Sequence, residues 1–224
     1  MIEATGFAAL GDVLACTLDL TQERHRARFA ALVARQPAEM ARLRLRRFDR
    51  RAFAAEVARV AELYDDAWGD NRHAVPLRPG EVATMARLLR PLLHRGEVIF
   101  AEWDGKAIGL VSVVPNIEEA VPADGRLLPF GWIGLARALA GRVDAARIPM
   151  LGISRAFRGS GVSALAMGAL LAESIGVCVS RGWGSLEISW ILEENIAMRN
   201  AMKKLRAPLT GRWRIWYDSL ADRT

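Results

Sequence analysis

Residues 151–165, LGISRAFRGSGVSAL, constrain the fold more than any other stretch of this chain. A short apolar run gives way to a turn dense in Gly and Ser, and the turn opens into an Ala/Leu-rich helical pattern. Such a junction points successive backbone N–H groups into one concavity at a helix N-terminus. Unpaired donors and the positive end of the helix dipole attract phosphate there. Arg158, Gly159, Ser160, Gly161, Val162 and Ser163 fit the pattern Arg-x-x-Gly-x-small. A Cβ at Gly159 or Gly161 would either forbid the dihedrals or hold an anion away from the backbone. Gly-rich turns of this kind also serve as plain connectors, so the elements around it decide the reading.

Those elements alternate. Residues 1–40 read as an N-terminal helical extension, with Thr21 capping a helix that carries Phe29, Leu32 and Val33 on one face and with Pro37 interrupting it. Residues 41–224 read as the main domain. Leu43 and Leu45 alternate with Arg44 and Arg46 as in a half-buried first strand. Asp49 precedes an amphipathic helix with Phe53, Val57, Val60, Leu63, Tyr64 and Trp68 on its buried face. Pro79 and Glu81 lead into a second helix. Asp104-Gly105 joins two strand-like runs into a hairpin over residues 97–115. After a stretch without strand pattern, 116–145, come a strand at 147–154, the turn with its helix, a strand at 184–191, a helix opened by Asn195, and a last strand in which Trp213, Ile215 and Tyr217 alternate with Arg214 and Trp216. This order predicts an α+β fold with a mixed sheet.

The turn, the following helix and strand, and Asn195 with Met198 three positions on resemble the GNAT superfamily of acyl-CoA-dependent N-acyltransferases. The resemblance covers about residues 43–220, and the string YDDAWGDN followed by VPLRPGE looks like the C-terminal acyltransferase half of large bacterial proteins of that superfamily. It implies a mostly antiparallel central sheet flanked by helices and splayed between the strands at 147–154 and 184–191. It also implies that Arg158–Ser163 hold the pyrophosphate of acyl-CoA or acetyl-CoA, while the backbone of Leu151, Gly152 and Ile153 pairs with the pantetheine amides and Asn195 holds the pantetheine arm. A helix cap is the other reading of Asn195.

In such a site an amine-bearing small molecule or peptide would attack the thioester directly, positioning removing much of the barrier and a backbone N–H stabilising the oxyanion. The resemblance places the general base at Glu187, whose alternative is a surface network; Glu193 and Glu194 suit the helix N-terminus. The general acid of many relatives is a Tyr seven residues beyond the Asn, and that position is Met202 here. Two alternatives therefore stand beside transfer from acyl-CoA: transfer from an acyl carrier protein, and a non-catalytic acyl-CoA-binding domain. Phe130, Trp132, Ile133, Leu135 and Leu139 read either as core or as the border of a cleft that favours a more apolar acyl group or acceptor.

Composition limits the rest. Lys and Arg number 31 against 25 Asp and Glu, a net charge of +6 that suits an anionic partner, yet no basic stripe interleaved with aromatics points to nucleic acid. The most apolar stretch, 164–179, is broken by Glu173, so no membrane span is expected. Cys16 and Cys178 make no disulfide framework, and His25, His73 and His94 give no metal-ligand spacing. Without a signal-peptide pattern, these features suit a cytoplasmic, metal-free globular protein.

Overall fold

The computed structural model describes residues 7–23, 27, 41–69, 78–122 and 124–218. Its first element is a strand, β1 (Ala8–Asp19), where a helical extension was expected. Five consecutive residues, Asp12 to Cys16, are buried, so the strand shows no polar/apolar alternation. Its Ala, Gly and Asp residues also carry little strand propensity, which hid it from the sequence. The expected helix bearing Phe29, Leu32 and Val33 lies outside the described residues. The chain divides into two compact units, Met1–Leu18 with Glu187–Thr224 and Asp19–Leu186.

The larger unit is built on four antiparallel strands: β2 (Leu43–Arg47), β3 (Glu97–Trp103), β4 (Lys106–Pro115) and β5 (Ala145–Ile153), paired in that order. The β3–β4 hairpin turns at Asp104 and Gly105, both with positive φ, as a two-residue turn matched to strand twist requires. Helices α1 (Phe53–Trp68) and α2 (Pro79–Arg95) precede β3. Leu63 of α1 meets Val98, Phe100 and Leu110, with Val60, Leu93 and Met150 packed around them. Strand periodicity sends Ile99 and Val111, both fully buried, to the opposite face. Helix α4 (Gly161–Ser180) runs along β3, β4 and β5. It is long and apolar enough to cross a bilayer by composition, but here it packs on strands. Between β4 and β5 the chain forms a 3-10 turn, Ile117–Ala120, and helix α3 (Gly131–Leu139).

Polar side chains pin α1 to β2. The buried Glu56 carboxylate accepts from Arg46 Nη1 at 2.8 Å and Nη2 at 3.2 Å, from Arg59, and from the Asp49 N–H at 3.3 Å. Arg46 also donates to Glu102 at 2.8 Å. Burial of one carboxylate is thus offset by several charged donors.

In the smaller unit β1 pairs antiparallel with β7 (Leu209–Tyr217), from Ala8 opposite Tyr217 to Cys16 opposite Leu209. Helix α5 (Ile196–Leu205) buries Met198, Met202 and Leu205. Strand β6 (Ser185–Leu192) begins in the larger unit and ends in the smaller. Among the described residues the fold is mixed α+β, a largely antiparallel sheet flanked by helices, as the sequence predicts.

Candidate active site

The end of β5 leads through Ser154 and a 3-10 turn, Arg155–Phe157, to the start of α4. Gly159 has φ +74°, a conformation a side chain disfavours, and it reverses the chain into the helix. Ser160 is the N-cap: its Oγ accepts from the Ser163 N–H at 3.2 Å and donates to the Phe157 carbonyl at 2.5 Å. The Ala164 N–H bonds to the Ser160 carbonyl. Gly161 and Val162, at the first two helical positions, have N–H groups with no intrahelical acceptor. A Cβ at Gly161 would meet nothing within 4 Å, so the space beside the first helical residue is open. A helix start of this kind suits phosphate: N–H groups without an intrahelical acceptor, the positive end of the dipole and no Cβ at Gly161.

Leu151, Gly152 and Ile153 pair with Val111, Leu110 and Gly109 of β4. Gly152 is fixed by packing, since a Cβ there would overlap the Trp68 ring. That contact belongs to a feature the sequence reading missed, the hold of the α1 C-terminus on the turn. Asp66 accepts from the Arg155 N–H at 3.1 Å and from Arg155 Nε at 3.3 Å. A Ser154 hydroxyl bond, followed by these Arg155 contacts, holds the Asp66 carboxyl below the usual carboxylate range. Arg158 donates to the Ala67 carbonyl, so part of its charge serves the end of α1. A carboxylate in the last turn of a helix opposes the dipole, and Asp66 in that position was the available signal of a partner.

In the smaller unit Asn195 is the N-cap of α5, its Oδ1 accepting from the Met198 N–H at 3.1 Å. Glu187 lies half-buried on β6. Glu193, two residues before the helix, pairs its carboxylate with Arg212 at 3.3 Å, and its carbonyl accepts from Arg199 at 2.8 Å. Arg212 also reaches the buried Asp12, at 3.3 Å, beside Arg214 Nε at 2.8 Å. The bond from Arg214, with the charge of both arginines, holds Asp12 below its ordinary value. Met202 is buried in the core of this unit and presents no hydroxyl. Phe130, Trp132 and Ile133, expected as core or cleft border, are exposed. Among the described residues no three His, Cys, Asp or Glu side chains gather as a metal site.

No model of a known protein family matches the sequence. The chain is 34% identical over 179 residues to the bacterial ceramide synthase of Caulobacter vibrioides, covering 79% of this chain and 46% of that protein. It is 31% identical over 175 residues to the protein YghO of Escherichia coli, covering 77% of this chain and 45% of the relative. The chain thus spans about half the length of the curated relatives it matches. Among solved structures, a GCN5-related N-acetyltransferase from Sphaerobacter thermophilus superimposes with a TM-score of 0.61 at 18% identity, over 96% of this chain and 53% of that one. The protein therefore has the fold of the GNAT superfamily of acetyltransferases.

Proposed function

We propose that the protein transfers an acyl group from acyl-CoA to an amine, and that donor and acceptor are both long and apolar. The observation that carries this reading is the turn at 158–163: a helix start with free N–H groups, Gly159 at positive φ, and open space at Gly161. These residues would bind the donor's phosphates, and the backbone of Leu151, Gly152 and Ile153 would hold its pantetheine amides. Coenzyme A supplies an acyl group activated as a thioester. Glu187 would take the proton from the incoming ammonium, and Asn195, its Oδ1 engaged in the cap, would offer its amide N–H to the pantetheine arm. A thiol of pKa about 8.5 leaves as thiolate without a dedicated acid, so Met202 at the usual Tyr position does not block the reaction.

The apolar substrates are supported by the relative named a ceramide synthase, a ceramide being the fatty amide of a long-chain amine. Incubation with acetyl-, octanoyl- and palmitoyl-CoA, each with a long-chain amino alcohol and with a small polyamine, tests the reading by mass spectrometry of the amide. Each further methylene buried in the transition state adds about 0.8 kcal/mol, so efficiency should climb steeply along the series. Palmitoyl transfer to the amino alcohol is the expected product. A preference for acetyl on the polyamine would overturn the apolar assignment, and no binding of any CoA would overturn the donor. Turnover only with an acyl carrier protein, an acidic partner for a chain of net charge +6, would move the donor to the carrier.

A further inference from the structure

Helix α3 is built inside out. Gly131 and Gly134 face the protein so closely that a Cβ would overlap the Arg126 carbonyl at the first and the Ala120 carbonyl at the second, and Ala138 is fully buried. These three positions, spaced by three and four residues, form one face of the helix. Backbone contact with the preceding turn therefore fixes the rotation of α3. The opposite face carries Trp132, Ile133, Ala136 and Arg137, all exposed. An ordinary surface helix turns its large apolar residues inward; this one leaves Leu135 half-buried on the inner side and turns Trp132 and Ile133 out.

The segment before it extends the same surface. Leu128 is 79% exposed, Phe130 73% and Trp132 51%. Trp132 Nε1 donates to the Pro129 carbonyl at 2.9 Å, so its ring can leave water with no donor unsatisfied. Arg95 at the end of α2 donates to the Ala140 carbonyl at the end of α3. Leu88, seven residues earlier on the same face of α2, is exposed. Such a cluster exceeds the scattered apolar residues of an ordinary surface.

Charge identifies the occupant. Residues 125–143 contain no Asp or Glu and hold Arg126, Arg137 and Arg142, all exposed. The bordering acids are Asp124, which pairs with Arg126 at 3.9 Å, Glu118, which pairs with Arg147, and Glu119 and Asp144. Arg87 and Arg90 flank Leu88. A second copy of the chain would bring these arginines against their own kind. Anionic lipid headgroups would instead meet them, while Phe130 and Trp132 enter the acyl boundary. We propose that this face of the larger unit docks on the surface of an anionic phospholipid bilayer. The proposal does not rest on acyl transfer, since docking needs neither donor nor acceptor.

Vesicle flotation with the full chain tests it, using phosphatidylcholine alone and phosphatidylcholine mixed with phosphatidylglycerol. The mixed vesicles should carry the protein at low salt and lose much of it at high salt, and the neutral vesicles should carry less. Phe130→Ser with Trp132→Ser should weaken binding about tenfold or more, and Leu88→Ser should act in the same direction. Unchanged circular dichroism and melting temperature keep these exposed-site variants interpretable. No vesicle binding, or binding equal in wild type and variants, would overturn the proposal. So would a wild-type dimer that the same substitutions convert to monomer, which makes the face a protein interface.

Discussion

Gly161 separates binding from folding at a single residue. Its φ is not positive and its missing Cβ faces open space, so a leucine there strains nothing and costs the fold no more than about 0.5 kcal/mol. The same side chain would stand where phosphate must approach the Gly161 and Val162 N–H groups. Gly161→Leu should keep its melting temperature within a degree or two and weaken coenzyme A binding by about a hundredfold, about 2.8 kcal/mol, in calorimetry. Asp12 gives a residue-scale prediction in pH. Its folded pKa lies below the unfolded value, so its contribution is present above about pH 4 and is lost as pH falls through the folded value. In urea titrations Asp12→Asn should be less stable than wild type at pH 7, with the gap closing as the pH drops below about 4. A gap constant with pH would show that the arginine clamp adds nothing electrostatic.

At the scale of elements, the contact between α1 and β2 depends on one buried carboxylate. Glu56→Gln leaves the shape but removes the charge facing Arg46 and Arg59, and should destabilise the protein by about 3 kcal/mol in chemical denaturation. Elements with local signatures were legible in the sequence. Asp104-Gly105 declared the hairpin, Ser160 and Asn195 declared two helix starts, and the alternation of Trp213, Ile215 and Tyr217 declared β7. What escaped depended on partners distant in the chain. β1 is buried on both faces and so has no periodicity to read. The rotation of α3 follows from two glycines, one lying on the Arg126 carbonyl and the other on the Ala120 carbonyl, contacts no hydrophobic pattern records. Of the candidate site, the turn at 158–163 with its Ser160 cap was legible because its conformation is local to six residues. The hold of Asp66 and Ala67 on Arg155 and Arg158 spans about ninety residues and was not.

At the scale of the molecule, the two compact units differ in how the chain builds them. The larger is continuous, Asp19–Leu186, and its strands β2 to β5 pair in chain order. The smaller joins the two terminal segments, and its β1–β7 ladder and Asp12–Arg214 pair link residues about two hundred positions apart. Cutting the chain after Leu205 should remove both arginine partners of Asp12 and strip β1 of β7, leaving β6 as its one neighbour in the sheet. The β1 amides that face β7 should then exchange fast, while the same amides in the whole chain stay protected.

The ladder between β1 and β7 also sets an order of events during synthesis. β1 leaves the ribosome well before β7, since Arg214 follows Asp12 by 202 residues. At ordinary elongation rates of about 5–20 residues per second, that is a wait of about 10–40 s. Through that interval the nascent chain carries a strand with five positions built for burial and one edge without its native neighbour. An edge left open in this way recruits other strands, so newly made chains should need a chaperone more than refolded ones, in which both ends are present from the start.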